Sequence, residues 1–277
     1  MSLFSEVLDS EQKALLVEVC TIALRAGQAV MNVYGRDFDQ QEKEDKSPLT
    51  EADLASHNVI VEGISSVSSL PILSEEGKLP AWTERSEWQQ YWIIDPLDGT
   101  KEFIKRNGEF TINIALVKQG VPVLGVVYAP ALDELYLAAE SIGSYKLTTA
   151  IDSSLEDAKS IKVCASAPST WRIVGSRSHG SERMESFVGF LGDYQMVPMG
   201  SSLKLCMVAE GKADLYPRLA PTSEWDTAAA QAVVEQAGGV VLRDDLSLMR
   251  YNTKDDILNP HFIVCASVQD AWADFFR

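Results

Sequence analysis

One change of rhythm constrains the fold of this chain more than any other feature. Up to about residue 150 the apolar residues spell helices followed by consecutive short strands, whereas from Ile161 onward apolar runs alternate with helical patterns. Leu15, Leu16, Val19, Ile22, Ala26, Ala29, Val30 and Val33 recur at helical spacing between Asp9/Ser10 and Gly35, which predicts an amphipathic helix. Arg36 to Lys46 reads as a solvated loop, and Thr50-Glu51-Ala52-Asp53 has the form of a capping box that opens a second helix. Strands are predicted at Pro71–Ser74, Tyr91–Asp95, Thr111–Val117, Val121–Tyr128 and Glu134–Ala139. Turns at Gln119-Gly120 and Pro130 join the later ones into an antiparallel meander.

In the second half, apolar runs at Arg172–Gly175, Tyr194–Val197, Ala213–Tyr216 and Ile263–Ala266 alternate with helical patterns at Ser181–Leu191, Ser202–Glu210, Thr227–Gln236 and Val268–Phe276. Alternation of this kind predicts a layered α/β arrangement. The expectation is therefore an α/β (α+β layered) chain with an antiparallel N-terminal sheet (residues 1–155) and a mixed or parallel C-terminal sheet (156–277). No Pro/Gly/Ser-rich linker separates the two halves, so residues 150–160 are expected to be a seam within one compact unit.

The apolar stretch Tyr91–Ile94 empties into Asp95-Pro96-Leu97-Asp98-Gly99-Thr100, which places two carboxylates three residues apart where a strand ends. Pro96 stiffens the run, Gly99 lets backbone approach a ligand closely, and a helix starting there would aim free N–H groups at an anion. A bare Asp-Gly pair is ordinarily only a turn. The formal net charge of −16 argues against a nucleic-acid polymer or an anionic membrane as partner, since both demand clustered Lys and Arg. A surplus of carboxylates does suit hard divalent cations. Cys20, Cys164, Cys206 and Cys265 lack Cys-x-x-Cys spacing, and His57, His179 and His261 are scattered, so neither a disulfide framework nor a zinc site is expected. No uninterrupted apolar stretch approaches the ~18 residues of a membrane span, and no secretory signal opens the chain, which fits a reduced, cytoplasmic compartment.

Trp92-Ile93-Ile94-Asp95-Pro96-Leu97-Asp98-Gly99-Thr100 resembles the signature of the inositol monophosphatase superfamily of metal-dependent, lithium-sensitive phosphatases. Companion motifs follow in the family's order across most of the chain. Ser74-Glu75-Glu76 resembles the acidic strand end that supplies a further metal ligand, and Trp225-Asp226-Thr227-Ala228-Ala229 resembles the second signature, whose Asp binds metal at a helix start. Thr50-Glu51-Ala52-Asp53 resembles the motif whose Asp works with the Thr of Asp-Gly-Thr to orient water. Alone, Glu75-Glu76 is a solvated loop, Asp226 an N-cap and Asp53 a helix-dipole charge; four motifs in order outweigh those readings.

The resemblance implies a sugar-phosphatase-type αβαβα sandwich and two or more Mg²⁺ per site. Glu75, Asp95 and the Leu97 carbonyl would hold one ion, and Asp95, Asp98 and Asp226 a second, with water as the nucleophile and Asp53 and Thr100 as the catalytic pair. The backbone of Gly99 and Thr100 would cradle the phosphate.

Lys101-Glu102-Phe103, Ser176-Arg177-Ser178-His179, Gly200-Ser201-Ser202-Leu203-Lys204 and Leu215-Tyr216-Pro217-Arg218 resemble the 3′(2′),5′-bisphosphate nucleotidase branch. That branch implies hydrolysis of adenosine 3′,5′-bisphosphate to AMP, with 3′-phosphoadenylyl sulfate as a second substrate and a place in sulfur metabolism. Ser201, Lys204 and Arg218 would meet the substrate, the two cations on its second phosphate, and His179 would contact sugar or base. The alternatives weighed are an inositol or other sugar phosphatase with the same metal core, and a non-catalytic nucleotide or metal sensor. Relatives of this type are placed at the cytoplasmic face of the inner membrane, yet no amphipathic basic helix here would explain such attachment. Oligomeric state is not encoded in any motif of the chain.

Overall fold

The computed structural model describes residues 10–38, 40–42, 48–148, 150, 154–164, 168–175, 182–268 and 272. The expected first helix spans Ser10–Tyr34 (α1) and the capping box opens Glu51–Val67 (α2). Between them Gln40–Glu42 (β1) pairs antiparallel with Pro48–Thr50 (β2), a correction to the solvated loop read over Arg36–Lys46. The chain continues through Ile72–Ser74 (β3), Trp82–Arg85 (α3), Gln90–Asp98 (β4), Thr100–Ile104 (α4), Thr111–Lys118 (β5), Val121–Ala129 (β6), Glu134–Ala139 (β7), Gly143–Thr148 (β8) and Lys159–Ser160 (β9). Then come Trp171–Gly175 (β10), Glu182–Leu191 (α5), Tyr194–Pro198 (β11), Leu203–Ala209 (α6), Leu215–Arg218 (β12), Ala228–Gln236 (α7), Val240–Arg243 (β13) and Phe262–Cys265 (β14).

Strands β3 to β9 form a seven-stranded sheet in sequence order. It is antiparallel except at its edge, where β3 runs parallel to β4. The meander is built as its residues require: Gln119 and Gly120 both adopt positive φ (51° and 76°), the conformation of a tight hairpin turn whose twist matches the strands. The second sheet has the order β11-β10-β12-β14-β13, parallel across its first three strands and antiparallel across the rest. Strand β12 begins at Leu215 rather than Ala213, and just before it the Asp214 carboxylate accepts from the Arg172 backbone N–H (2.8 Å) and guanidinium (2.6 and 2.9 Å). Of the helix expected at Val268–Phe276, only Val268 and Trp272 are described; Trp272 is buried against Trp171 and Phe187.

Alternation along the strands settles the layers. Trp92, Ile94, Val126 and Tyr128 turn to one side and pack with Leu16, Val19, Ala23, Ala26, Ile60 and Ile64 of α1 and α2. Tyr91, Ile93, Val127 and Ala129 turn to the other side and meet α6, α7 and the inner residues Val174, Tyr216 and Val264 of the second sheet. The outer face of that sheet, Ile173, Leu215 and Ile263, is covered by Phe187 and Val188 of α5 and by Trp272. The order is thus helices, sheet, helices, sheet, helix: the αβαβα sandwich that the resemblance implies. A sheet buried on both faces explains why β4 and β6 are nearly continuous apolar runs. Glu11–Tyr34 is long and apolar enough by composition to cross a membrane, but its apolar stripe is spent on α2 and the first sheet.

Helix α7 lies so close to β6 that only glycine fits at the crossing. A Cβ on Gly125 would stand 2.2 Å from the Ala229 carbonyl oxygen and 2.8 Å from Ala232 Cβ. Gly125→Ala is expected to cost about 2–3 kcal/mol, the range of overpacked cores, because backbone must move to admit it. Urea unfolding checks this, as a lower midpoint at unchanged slope.

Candidate metal centre and substrate cavity

Parallel pairing of β3 with β4 sets Ser74, the last residue of β3, opposite Ile94. The next residue of each, Glu75 and Asp95, therefore emerges side by side. Strand β4 does not stop there, as the sequence suggested; it continues through Asp98 with a register break, so that Asp95 pairs with Asn113 and Asp98 with Thr111. Ser56 on α2 donates to the Pro96 carbonyl (2.7 Å), and the Asp95 carboxylate accepts from the Leu97 N–H (3.0 Å). These two bonds hold the bulge that re-aims the carboxylates. Gly99 then caps α4 at φ 92°, where a Cβ would sit 3.2 Å from the Glu109 carbonyl and 3.3 Å from Ser201 Cβ.

Asp226 comes from the second half of the chain. It ends a 3₁₀ turn, Glu224–Asp226, ahead of α7, and its carboxylate accepts from the Ser223 N–H (2.9 Å). Carboxylate oxygens of Glu75, Asp95 and Asp226 lie within 4.8 Å of one another. Asp98 stands beside them, accepting from the Ser202 N–H (2.5 Å) at the start of α6. Burial, and then its carboxylate neighbours Glu75, Asp98 and Asp226, push Asp95 well above the usual carboxylate range. Burial followed by Asp98 does the same to Asp226, while burial lifts Asp98 to about 6 against the opposing pull of Lys204. Packed acids of this kind repel one another unless a cation or protons sit among them, and an all-oxygen donor set suits a hard divalent ion.

Asp53 is buried and held from two directions. Its Oδ2 accepts from the Thr50 N–H (2.8 Å) and hydroxyl (2.7 Å), and its Oδ1 accepts from the Thr100 hydroxyl (3.2 Å). The capping function and the contact with Thr100 thus coexist in one side chain. Thr100 Oγ1 also lies 3.3 Å from the Leu97 carbonyl oxygen.

The turn that carries Asp226 is braced by residues that sequence reasoning passed over. The buried Glu224 carboxylate accepts from the Asn252 N–H, and Asn259 donates to the Ser223 carbonyl (2.7 Å). Asn252 and its neighbours are gripped in turn by the fully buried Arg85, which donates to Asn252 Oδ1 (2.7 Å) and to the carbonyls of Lys254 and Asp255.

The carboxylates Asp98 and Asp226 open into a cavity of about 480 Å³ that also takes in Gly99, Ser201, Lys204, Tyr216 and Arg218. Ser201 adopts φ 45°, and the Lys204 ammonium donates to its carbonyl (2.6 Å). Burial lowers the Lys204 pKa to about 8 despite the opposing charge of Asp98. Arg218 donates to the Pro221 carbonyl (2.8 Å), and its Nε is buried with no hydrogen-bond partner among the described residues. His179 lies outside the described residues, as does the rest of Ser176–His179.

The model of the inositol monophosphatase family matches residues 11–273. This chain belongs to the inositol monophosphatase family. Among curated relatives it is similar to the 3′(2′),5′-bisphosphate nucleotidase CysQ of Salmonella typhimurium, with 47% identity over 253 residues covering 90% of this chain and 99% of the relative. Its similarity to the enzyme of the same name from Escherichia coli K12 is 46% over the same shares. Among solved structures, CysQ from Bacteroides thetaiotaomicron, described as a bacterial member of the inositol monophosphatase family, aligns with TM-score 0.81 and 43% identity over 92% of this chain and 98% of that one. Within this inositol monophosphatase fold, the acids of three separate segments, β3, β4 and the turn before α7, meet at one end of the first sheet.

Proposed function

We propose that this chain is a phosphoric monoester hydrolase that removes the 3′-phosphate of adenosine 3′,5′-bisphosphate, giving AMP and phosphate, with 3′-phosphoadenylyl sulfate as a second substrate. The observation that carries the reading is the joining of a carboxylate cluster, Glu75, Asp95 and Asp226, to a cavity lined by Lys204 and Arg218. Acids alone suit a cation and bases alone suit an anion; side by side they suit a metal-assisted reaction on a phosphate ester. The identity of 46–47% to nucleotidases along 90% of the chain supports the choice of ester.

Glu75, Asp95 and the Leu97 carbonyl would hold one Mg²⁺, and Asp95, Asp98 and Asp226 a second. Such ions neutralise phosphate charge and lower the cost of deprotonating water. The chain's own residues do the rest. With the Thr100 hydroxyl donating to Asp53 Oδ1, its oxygen would accept from the attacking water. As the water oxygen bonds to phosphorus and the bond from phosphorus to the 3′-oxygen breaks, the water's proton passes to Thr100 Oγ1 while Thr100 gives its own to Asp53, and the departing 3′-oxygen takes up a proton from solvent water to leave as the 3′-hydroxyl of AMP. Thr50 fixes Asp53 through Oδ2 and leaves Oδ1 to receive that proton. Lys204 and Arg218 receive the phosphate that is not cleaved, as point charge and as fork.

Phosphate release from adenosine 3′,5′-bisphosphate and from inositol 1-phosphate, each with Mg²⁺, tests the reading. The bisphosphate is expected to be turned over with at least about tenfold higher kcat/KM, since only a site shaped for both its phosphates and its base collects that much extra binding energy. Preference for the inositol ester would overturn the substrate assignment. No magnesium-dependent release from any ester would overturn the enzyme assignment.

A further inference from the structure

Separate parts of the metal and water site are fastened to one face of α2. Asp53, Ser56 and His57 stand three and four positions apart, so their side chains share a face of that helix. Asp53 accepts from the Thr100 hydroxyl (3.2 Å), and Ser56 donates to the Pro96 carbonyl inside the bulge that carries Asp95 and Asp98 (2.7 Å). His57, which takes no part in the proposed reaction, shares a hydrogen bond between its Nδ1 and the Ser74 hydroxyl (2.8 Å). Ser74 ends β3, a strand of three residues at the edge of the first sheet. Its carbonyl accepts from the Gly77 N–H (3.1 Å), which closes a tight turn with Glu75 in the second position. The His57 ring lies against that turn: a Cβ on Gly77 would stand 3.9 Å from His57 Cε1 and 3.4 Å from Ser74 Cβ. Ser74 is buried and His57 half-buried, so their bond is shielded from water, where a hydrogen bond is electrostatically stronger.

We infer that His57 is a positioning residue for Glu75, fixing through Ser74 the turn that aims the Glu75 carboxylate at the metal ion. This inference rests on the proposed place of Glu75 in the metal set and extends it to a residue that touches no ion. The direction of the Glu75 side chain follows from its place in the turn, and a short edge strand holds its own end weakly. The bond from the Glu75 N–H to the Ile94 carbonyl is 3.3 Å, long for its kind. Helix α2 supplies a second hold, and is itself anchored in the core by Ile60 and Ile64. Partners that orient a metal-binding group in this way typically cost about 10–100-fold in metal affinity when removed. Because Asp53 and Ser56 belong to the same face, one rigid element sets Glu75, the bulge of β4 and the water-orienting pair relative to one another.

The test measures Mg²⁺ binding to the substrate-free protein by calorimetry, and beside it the Mg²⁺ dependence of phosphate release from adenosine 3′,5′-bisphosphate. His57→Ala is expected to raise the dissociation constant and the half-saturating Mg²⁺ concentration about tenfold. The maximal rate at saturating Mg²⁺ should fall by less than about threefold, since the loss is in binding and not in the chemical step. Ser74→Ala removes the same bond from its other end and should match His57→Ala. His57→Asn, whose amide can reach Ser74, should bring Mg²⁺ binding back to within about threefold of the unsubstituted protein. On a Glu75→Gln background, His57→Ala should weaken Mg²⁺ binding no further, because its effect passes through Glu75. A loss that persists without Glu75, a fall in maximal rate at unchanged Mg²⁺ dependence, or a lower Tm with unchanged Mg²⁺ binding overturns the role of His57. Failure of the unsubstituted protein to bind Mg²⁺ is a separate result, which overturns the metal site itself.

Discussion

Asp95→Asn is expected to lower turnover by about a thousandfold or more while making the metal-free protein more stable. Asp95 lies within 4.8 Å of Glu75 and Asp226, and its pKa is raised first by burial and then by Glu75, Asp98 and Asp226. Asparagine keeps the shape and keeps an oxygen for the Leu97 N–H, so the bulge of β4 survives. What goes is one buried negative charge. Without a cation that charge is a cost, and its removal is expected to stabilise the fold by about 1 kcal/mol or more, as when a destabilised functional group is neutralised. With substrate present, the same charge is needed to hold the divalent ion, so activity is lost. Opposite signs distinguish a metal ligand from a residue that merely supports the fold, whose loss lowers stability and activity together. Steady-state phosphate release and chelator-treated thermal melts read the two quantities. Turnover within tenfold of the unsubstituted protein would remove Asp95 from the metal set.

The residues of this cluster were legible because each sits in a short local pattern with its own physical logic. Asp95 and Asp98 follow an apolar strand, Asp226 precedes a helix and Asp53 closes a capping box on Thr50, so each motif announces a carboxylate at an element's end. The meander was legible for a related reason: a sheet buried on both faces writes itself as runs such as Trp92–Ile94 and Val123–Val127. Strand β8 was not, because Lys146 stands in its centre. That lysine is buried only by virtue of Glu134 (2.8 Å) and Glu210 (3.1 Å), the second 64 positions away. Arg85 misleads in the same way. In Thr83-Glu84-Arg85-Ser86 it reads as surface, yet it is fully buried and its partners lie some 170 residues downstream. Local pattern reveals the groups that an element delivers; it does not reveal which polar groups find one another across the fold.

That distinction also explains why chemistry was easier to read than substrate. Metal ligands must lie at strand and helix ends, where backbone geometry is itself encoded by neighbouring residues. Groups that line a cavity need no such pattern, and Lys101 and Lys105 line this one because the burial of Phe103 turns the other face of α4 toward it. Nothing in the spacing of two lysines says that they face a pocket and not solvent until the aromatic cluster beneath them is known.

Stability is expected to depend on magnesium most strongly at neutral pH and weakly in mild acid. Asp95, Asp98 and Asp226 all have folded-state pKa values above their unfolded ones, Asp98 at about 6 and the other two raised well above the ordinary range. Between the unfolded and folded values the native state binds more protons than the unfolded chain, so stability falls as pH rises through that window. For Asp98 the fall runs from about pH 4 to about 6, and for Asp95 and Asp226 it begins at the same place. Glu224, raised to about 7 mainly by burial, adds to the same trend. Lys204, lowered to about 8, has the opposite span: its penalty develops between its folded and unfolded values and is constant below them, so it does not tilt the curve in this window. A divalent cation replaces the missing protons. Saturating magnesium, about a hundredfold above its dissociation constant, is worth about 2.7 kcal/mol, which corresponds to a rise in Tm of roughly 5–10 °C for a chain of this size. At pH 7.5 that full rise is expected on adding magnesium to chelator-treated protein. At pH 5.5, where protons compete for the same carboxylates, the rise is expected to shrink to less than about half, while the metal-free protein itself melts higher than at pH 7.5. A metal-free Tm that climbs from pH 5.5 to 7.5, or a magnesium effect equal at both, would show that these acids do not form one ion-dependent cluster.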